Sequence, residues 1–589
     1  MEWDLSVMYD SCDAPAFMAD LKRLNDDLTT ACEKIDGLDA GDGAQLSDAI
    51  PLLQDLRARM QCLRNMVNLT LSAKAGDPAA TAMGDDMLRA QQRYEWLESR
   101  FGRQVCRARH LDAMIETHPI LKAHEFFLRR LVSEGQHQMD DAYAMPVTAM
   151  QLTGGLAFAR LRNELVGGAS SVLRYDGREA SLPMTRIERL LNESNPALRR
   201  AAWEAQQAGY AAIEVPMTAC LSGIKGEALN LSHWKRFDTP LDWSLSLSRI
   251  DREILEALKS AIWDYADLFR RYFRAKARAL GRQDGLPDWD LRAPMGAMST
   301  RMSFDEAGQL LRQILGGFDA RMDRMLDRAF RERWIDWSIR EGKSSDCFNT
   351  NLYLQGQSRV MVSFDGSIGS VFTLAHELGH AYHDDCLRRG SVLNCDYPMT
   401  LAETASTFNE TLMFDALTQS CPTEERLALL DQNLYSIARQ TLNMMGRLKF
   451  EDEIFAERAQ RVLTPDRVKA FMLETQREVY GDSVSQLNPY LWMMGDHLFL
   501  PEFHYYNYPY AFGRLFSRGL YMRYLQDGKS FADRYYDFLS LTSTMNVADV
   551  ARRMDINVYD RQFWLDALES FRPMIEEYER LVLELKGSA

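Results

Sequence analysis

At 589 residues the chain exceeds one ordinary hydrophobic core, so two or more subdomains are expected. Hydrophobic content of 46% and charged content of 26% describe a soluble globular protein, and a net charge of −15 disfavours nucleic acid or an anionic membrane as partner. No apolar stretch approaches the ~20 residues of a membrane span, and no secretory leader is read in the opening residues. The nine cysteines form no C-x-x-C pair, which argues for reduced thiols and a cytoplasmic location.

In chain order the pattern is overwhelmingly helical. Phe17, Leu21, Leu24, Leu28 and Ile35 space an amphipathic first helix, with Asp13-Ala14-Pro15 as its start signal, and comparable patterns fill much of 48–135. A short β interlude at Val172–Arg178 contains Asp176-Gly177, which predicts a tight hairpin. Helices resume from about 184, where a subdomain boundary is placed. Further on, Ser344–Thr350 precedes Arg359–Phe364, an alternating, β-branched run that reads as a strand, and a core strand with a polar approach loop fits it too.

The most informative stretch is His376-Glu377-Leu378-Gly379-His380. On a helix, positions i and i+4 stack on one face, so both imidazoles reach one ion. Glu377 sits about 100° round the helix, where it reaches a water on that ion without ligating it. The motif lies in a helical context. Val371, Leu374, Ala375, Leu378 and Tyr382 form an apolar stripe, Asp365-Gly366 is a turn before it, and Gly390 is a stop after it. Gly379 costs roughly 1 kcal/mol against Ala in a helix interior, and its missing side chain leaves room for a substrate or a neighbouring helix. His383 continues the histidine face, but a residue at i+7 lies about 10 Å along the axis from the first, so it packs or supports rather than ligates.

A third ligand must come from elsewhere, and Met399–Glu410 is an acidic, helix-like run. Thr400-x-x-Glu403 fits a capping box as well as it fits ligation. Glu410, two turns on, lies where it would orient a ligating histidine from behind, although a solvated Glu410 fits equally. The last informative segment is aromatic: His497, then Phe503-His504-Tyr505-Tyr506-Asn507-Tyr508-Pro509-Tyr510-Ala511-Phe512-Gly513. Pro509 marks the start of a helix, with the tyrosines before it in a loop.

Phe372–Ala381, followed by Leu401–Ser406, resembles the oligoendopeptidase F and thimet oligopeptidase family of zinc metallopeptidases, with the oligoendopeptidase F branch nearer. Trp3–Ser6 with Met8-Tyr9, Tyr272–Lys276 and Asp288–Leu291 extend the resemblance over nearly the whole chain. It implies that His376, His380 and Glu403 bind one zinc ion and that Glu377 is the base. It also implies that His497, Tyr506 and Tyr510 stabilise an oxyanion, with Tyr505, Tyr508 and His504 as rivals. An exposed strand edge beside the motif helix would pair with extended peptide. Here Asp346-Cys347-Phe348 replaces a small Gly-Ala-Phe-like run. If Cys347 lies on that edge, thiol alkylation should slow cleavage.

The fold so implied is mostly α, a two-lobed, zincin-like metallopeptidase with a deep central channel and a small β-sheet beside the active-site helix. An N-terminal helical domain would span 1–189 and the catalytic domain 190–589. The implied activity is zinc-dependent cleavage of internal bonds in short oligopeptides. Rival readings are a helical zinc carboxypeptidase and a non-catalytic zinc- or peptide-binding shell.

Overall fold

The computed structural model describes residues 2–296, 298 and 300–587, and helix accounts for 71% of the chain. The first helix, Pro15–Asp36, begins on its proline and buries Phe17, Leu21, Leu24, Leu28 and Ile35, the residues whose spacing predicts it. With Gly43–Ala73 and Pro78–Arg107 it builds a core that also takes in Leu352, Met361, Val392 and Leu393. The N-terminal helices therefore pack directly on the strands and loop that flank the motif helix. The chain's start is pinned there too: Asp4 donates its amide to the Arg333 carbonyl (2.9 Å), and Arg359 Nε donates to the Asp4 carbonyl (2.8 Å).

The hairpin pairs Ser170–Tyr175 with Arg178–Pro183, antiparallel. Asp176 and Gly177 both take positive φ (52° and 68°), the backbone that a two-residue turn of this hand requires. A second core joins Met184, Ile187 and the helix Pro196–Trp234 to Phe450, Ile454 and Trp492. The largest core runs from Ala228 to Val582 and surrounds the motif helix.

Three strands lie beside that helix. Gln357–Met361 is central, with Ile335–Asp336 parallel on one side and Phe348–Leu352 antiparallel on the other. The run read as a strand at Arg359–Phe364 is thus the middle of the sheet, shifted slightly earlier. The edge belongs to Phe348–Leu352, with Phe348 opposite Met361 and Leu352 opposite Gln357. The Asn349 side-chain amide donates to Asp384 of the motif helix (2.6 Å), fixing edge and helix together.

The motif helix spans Ile368–Leu387, after a turn in which Gly366 has φ 79°. Ser367 caps it by accepting the Ser370 amide (3.2 Å). Val371, Leu374, Ala375, Leu378 and Tyr382 are all buried. Among the described residues no helix is long and apolar enough to cross a membrane.

Candidate active site

His376 Nε2 and His380 Nε2 face each other at 3.2 Å, one turn apart on the motif helix. Glu403 Oε2 completes a triangle, 3.2 Å from His376 Nε2 and 3.6 Å from His380 Nε2. In a tetrahedral site with bonds of about 2.0–2.1 Å, ligand atoms stand about 3.3 Å apart, so these donors fit a zinc-sized ion. Among the described residues, this is the group of three that could hold a metal.

Its surroundings fix each donor. His376 Nδ1–H donates to Glu410 Oε1 (2.6 Å), which leaves the Nε2 lone pair available to an ion. His380 is bonded through its other side to the Ala402 backbone. Glu403 accepts the Ser406 hydroxyl (2.9 Å), and Arg514 donates to Glu410 Oε2 (3.0 Å). Burial works to keep His376 neutral, but the bonds to Glu403 and Glu410 outweigh it and hold the ring well above its ordinary range. Burial pushes His380 down to about 4. Against their own burial, His376 and its charge draw Glu403 down to about 2, and Arg514 with His376 does the same for Glu410. A cluster that retains two ionised acids around facing imidazoles demands positive charge, which a dication supplies without protons.

The Glu403 side chain makes no capping bond, although the residue stands at the junction of two helices. Thr400 donates its hydroxyl to the Ser248 carbonyl (2.9 Å), and Glu403 itself breaks the run into Met399–Ala402 and Thr404–Ser420. The helix-like run is thus two helices meeting at Glu403, whose carboxylate faces the two histidines. Glu410, on the second piece, is half-buried and bonded to His376 and Arg514 rather than free in solvent. His383 is fully buried, stacks on Tyr397 with ring centres 4.1 Å apart, and bonds Thr542.

Glu377 is 5% exposed. Burial pushes its carboxyl up to about 7, with Glu403 and Glu410 adding to the rise and His376 opposing it. A proton acceptor near neutrality that is neither ligand nor ion-paired suits general acid–base work.

The aromatic segment gathers nearby. Tyr510 Oη lies 3.4 Å from His497 Nε2, and Tyr506 packs against both, with ring centres 5.0 Å from His497 and 5.3 Å from Tyr510. The Glu403 charge reaches both tyrosines. The rivals face elsewhere: Tyr505 donates to Asp452 (2.9 Å), Tyr508 to Ser248 (2.8 Å), and His504 is enclosed by Lys225, Trp243 and Phe455. Tyr505 takes φ 57°, and its amide and the Asn507 side chain both donate to Glu451, itself paired with buried Lys225 (2.6 Å). That network sets the turn that presents Tyr506.

The family model described as peptidase family M3 matches residues 189–570, well over half of the chain. The chain belongs to this family. A relative, the chromosomal oligoendopeptidase F of Lactococcus lactis subsp. cremoris, is 25% identical over 402 residues, 67% of this chain and 65% of that protein. Oligopeptidase PepF of Bacillus subtilis (strain 168) is 23% identical over 482 residues, covering 80% and 70%. Among solved structures, one from Chlamydophila abortus superposes with a TM-score of 0.82 over 98% of both chains at 19% identity. Oligoendopeptidase-F from Enterococcus faecium gives 0.70 at 16% identity over 97% and 99%. The M3 chain and these structures share one fold.

Arg514, and the packing role of Gly513, escaped the sequence reading. Arg514 reaches Glu410 from 104 positions away, and its one signal is that it follows Gly513 in the aromatic segment. Gly513 lets its helix, Tyr508–Asp527, lie on the Glu403 backbone: a Cβ there would stand 3.1 Å from Glu403 Cβ. Removing Glu410 by substitution to Ala should weaken zinc binding about 10–100-fold, because His376 loses the acceptor that fixes its ring. Chelator competition measures it, and unchanged affinity would dismiss Glu410 as an orienting group. Cys347 is exposed one residue before the edge strand, within the field of Glu377. Iodoacetamide should slow peptide cleavage by the wild type and leave Cys347→Ser at its starting rate; an indifferent wild type would remove the thiol from the substrate edge.

Proposed function

We propose that this chain is a zinc-dependent endopeptidase that hydrolyses internal bonds of short oligopeptides. The observation that carries the reading is the triangle of His376, His380 and Glu403 donor atoms with the buried Glu377 carboxylate beside it. Bound there, zinc would act as a Lewis acid on the scissile carbonyl and make water acidic near neutrality.

The chain's own groups do the rest. Glu377 accepts the proton of the attacking water and passes it to the leaving amine. His497, Tyr506 and Tyr510 donate hydrogen bonds to the oxyanion as it forms. A donor of that kind lowers the barrier by about 2.7–4 kcal/mol. The edge Phe348–Leu352, tied to the motif helix through Asn349, offers main-chain groups to an extended peptide without reading its side chains.

The names of the relatives, an oligoendopeptidase and an oligopeptidase, support a short-peptide substrate. A mixed peptide library incubated with zinc-loaded protein and read by mass spectrometry tests it. Cuts at internal bonds, abolished by chelation and restored by zinc, are the expected result. Stepwise loss of single C-terminal residues would replace the reading with a carboxypeptidase. Zinc-dependent peptide binding without any cut would replace it with a binding shell.

A further inference from the structure

Next to His497, the helices Thr423–Gln440, Leu442–Gln460 and Pro465–Tyr480 border an open cleft. Three arginines line it, Arg292, Arg439 and Arg447, against one acid, Asp288. In a chain of net charge −15 this is a local reversal of sign. Asp288 is already engaged: it accepts from Trp203 Nε1 (2.9 Å) and Asn488 Nδ2 (3.2 Å), and burial pushes it up to about 6. Arg292 shares the Tyr435 hydroxyl and the field of Asp288.

Arg439 and Arg447 have no such partners. Among the described residues neither makes an ion pair or a hydrogen bond, and Arg447 feels the charge of Arg439. Burial first, then Arg439, draws the Arg447 guanidinium downward. Arg447 is half-buried and Arg439 exposed at the mouth of the cleft, so the pair presents unpaired positive charge where an anion can reach it. The pair also borders the reacting end of the site. A Cβ at Gly495 would stand 3.4 Å from Arg447 Nη1 and 4.0 Å from His497 Nδ1, and both arginines act electrostatically on His497.

We infer that Arg447 and Arg439 bind a carboxylate of the peptide substrate, so that the cleft beside His497 is a subsite selecting peptides with an acidic group there; this rests on the peptidase reading above. The carboxylate is either the peptide's own terminus or an Asp or Glu side chain. Arg presents a planar fork that matches it bidentately, and Lys would not replace it fully.

The test uses zinc-loaded wild type, Arg447→Gln and Arg439→Gln with one quenched fluorescent peptide in matched versions. One pair differs in a free or amidated C-terminus, and others exchange Glu for Gln at successive positions on either side of the cut. In the wild type, at least one loss of a carboxylate should lower kcat/KM about tenfold or more, the scale of a charge-assisted bidentate contact. That ratio should fall to near one in Arg447→Gln and to an intermediate value in Arg439→Gln. The exchange that carries the ratio identifies the source, terminus or side chain. Equal wild-type rates for every pair, or a ratio that survives both substitutions, would overturn the subsite. If no peptide is cut at all, the peptidase reading fails by itself. Anisotropy of the same labelled peptides then still reads the arginines: tighter binding of an acidic version to wild type alone supports them, and equal binding overturns them. Should Arg447→Gln fail to fold, Arg439→Gln, altered at an exposed side chain, decides alone.

Discussion

Glu377→Gln is expected to keep the zinc content of the wild type and to lose at least about two orders of magnitude in peptide turnover. The amide matches the carboxylate in size and leaves His376, His380 and Glu403 untouched, but it cannot accept a proton. Stability supplies the control. The carboxyl's ordinary value is 4.5, and in the fold burial raises it to about 7. Ionising it therefore costs the native state stability as pH rises through that window, and the cost is absent below it. Gln removes the cost, so metal-free Glu377→Gln should melt at or above the temperature of metal-free wild type near pH 8. Lost turnover in a well-folded, zinc-loaded variant can then be assigned to the missing base. Near-normal turnover in such a variant would take Glu377 out of that role.

The parts of the site legible in the sequence are those set by local geometry. His376, Glu377 and His380 share one helix, whose period alone puts two imidazoles on one face. The Asp176-Gly177 turn and the stripe of Phe17, Leu21, Leu24 and Leu28 are legible for the same reason. Glu403 was not decided by spacing, since capping and ligation place the same residue types at the same interval. What bears on the choice is the helix break at Glu403 and the approach of its carboxylate to both imidazoles, neither of which spacing displays. Choosing among the tyrosines needed partners distant in sequence: Asp452 draws Tyr505 away and Ser248 draws Tyr508 away, leaving Tyr506 and Tyr510 beside His497. Arg514 and the unpaired arginines of the cleft have no local pattern at all. A charge on a helix reads as a solvated face until the fold encloses it.

Gly379→Ala is expected to lower both zinc affinity, by at least about tenfold, and the melting temperature. Local propensity predicts the opposite sign. In a helix interior Ala is better than Gly by about 1 kcal/mol, so with open space around it the substitution would stabilise. The space is not open. A Cβ at 379 would lie 2.6 Å from Ser406 Cα, 2.7 Å from the Ala405 carbonyl oxygen and 2.8 Å from Ser406 N. All three are backbone atoms, so no side chain can rotate away, and overpacking of this kind costs about 1–3 kcal/mol. Relief requires the helix Thr404–Ser420 to retreat from the motif helix. That helix carries Ser406, which bonds Glu403 Oε2, and Glu410, which bonds His376 Nδ1. Bringing these contacts from 2.6–2.8 Å out to ordinary van der Waals distance requires a retreat of well over half an ångström, more than the about 0.5 Å that the donor triangle tolerates. Ser406→Gly should not rescue the variant, because the colliding atoms remain. Calorimetry and chelator competition on the single and double variants check both statements. A Gly379→Ala protein with raised melting temperature and full zinc affinity would mean that the two helices are not locked at this contact, and that the carboxylate of Glu403 is held in place by something other than their close approach.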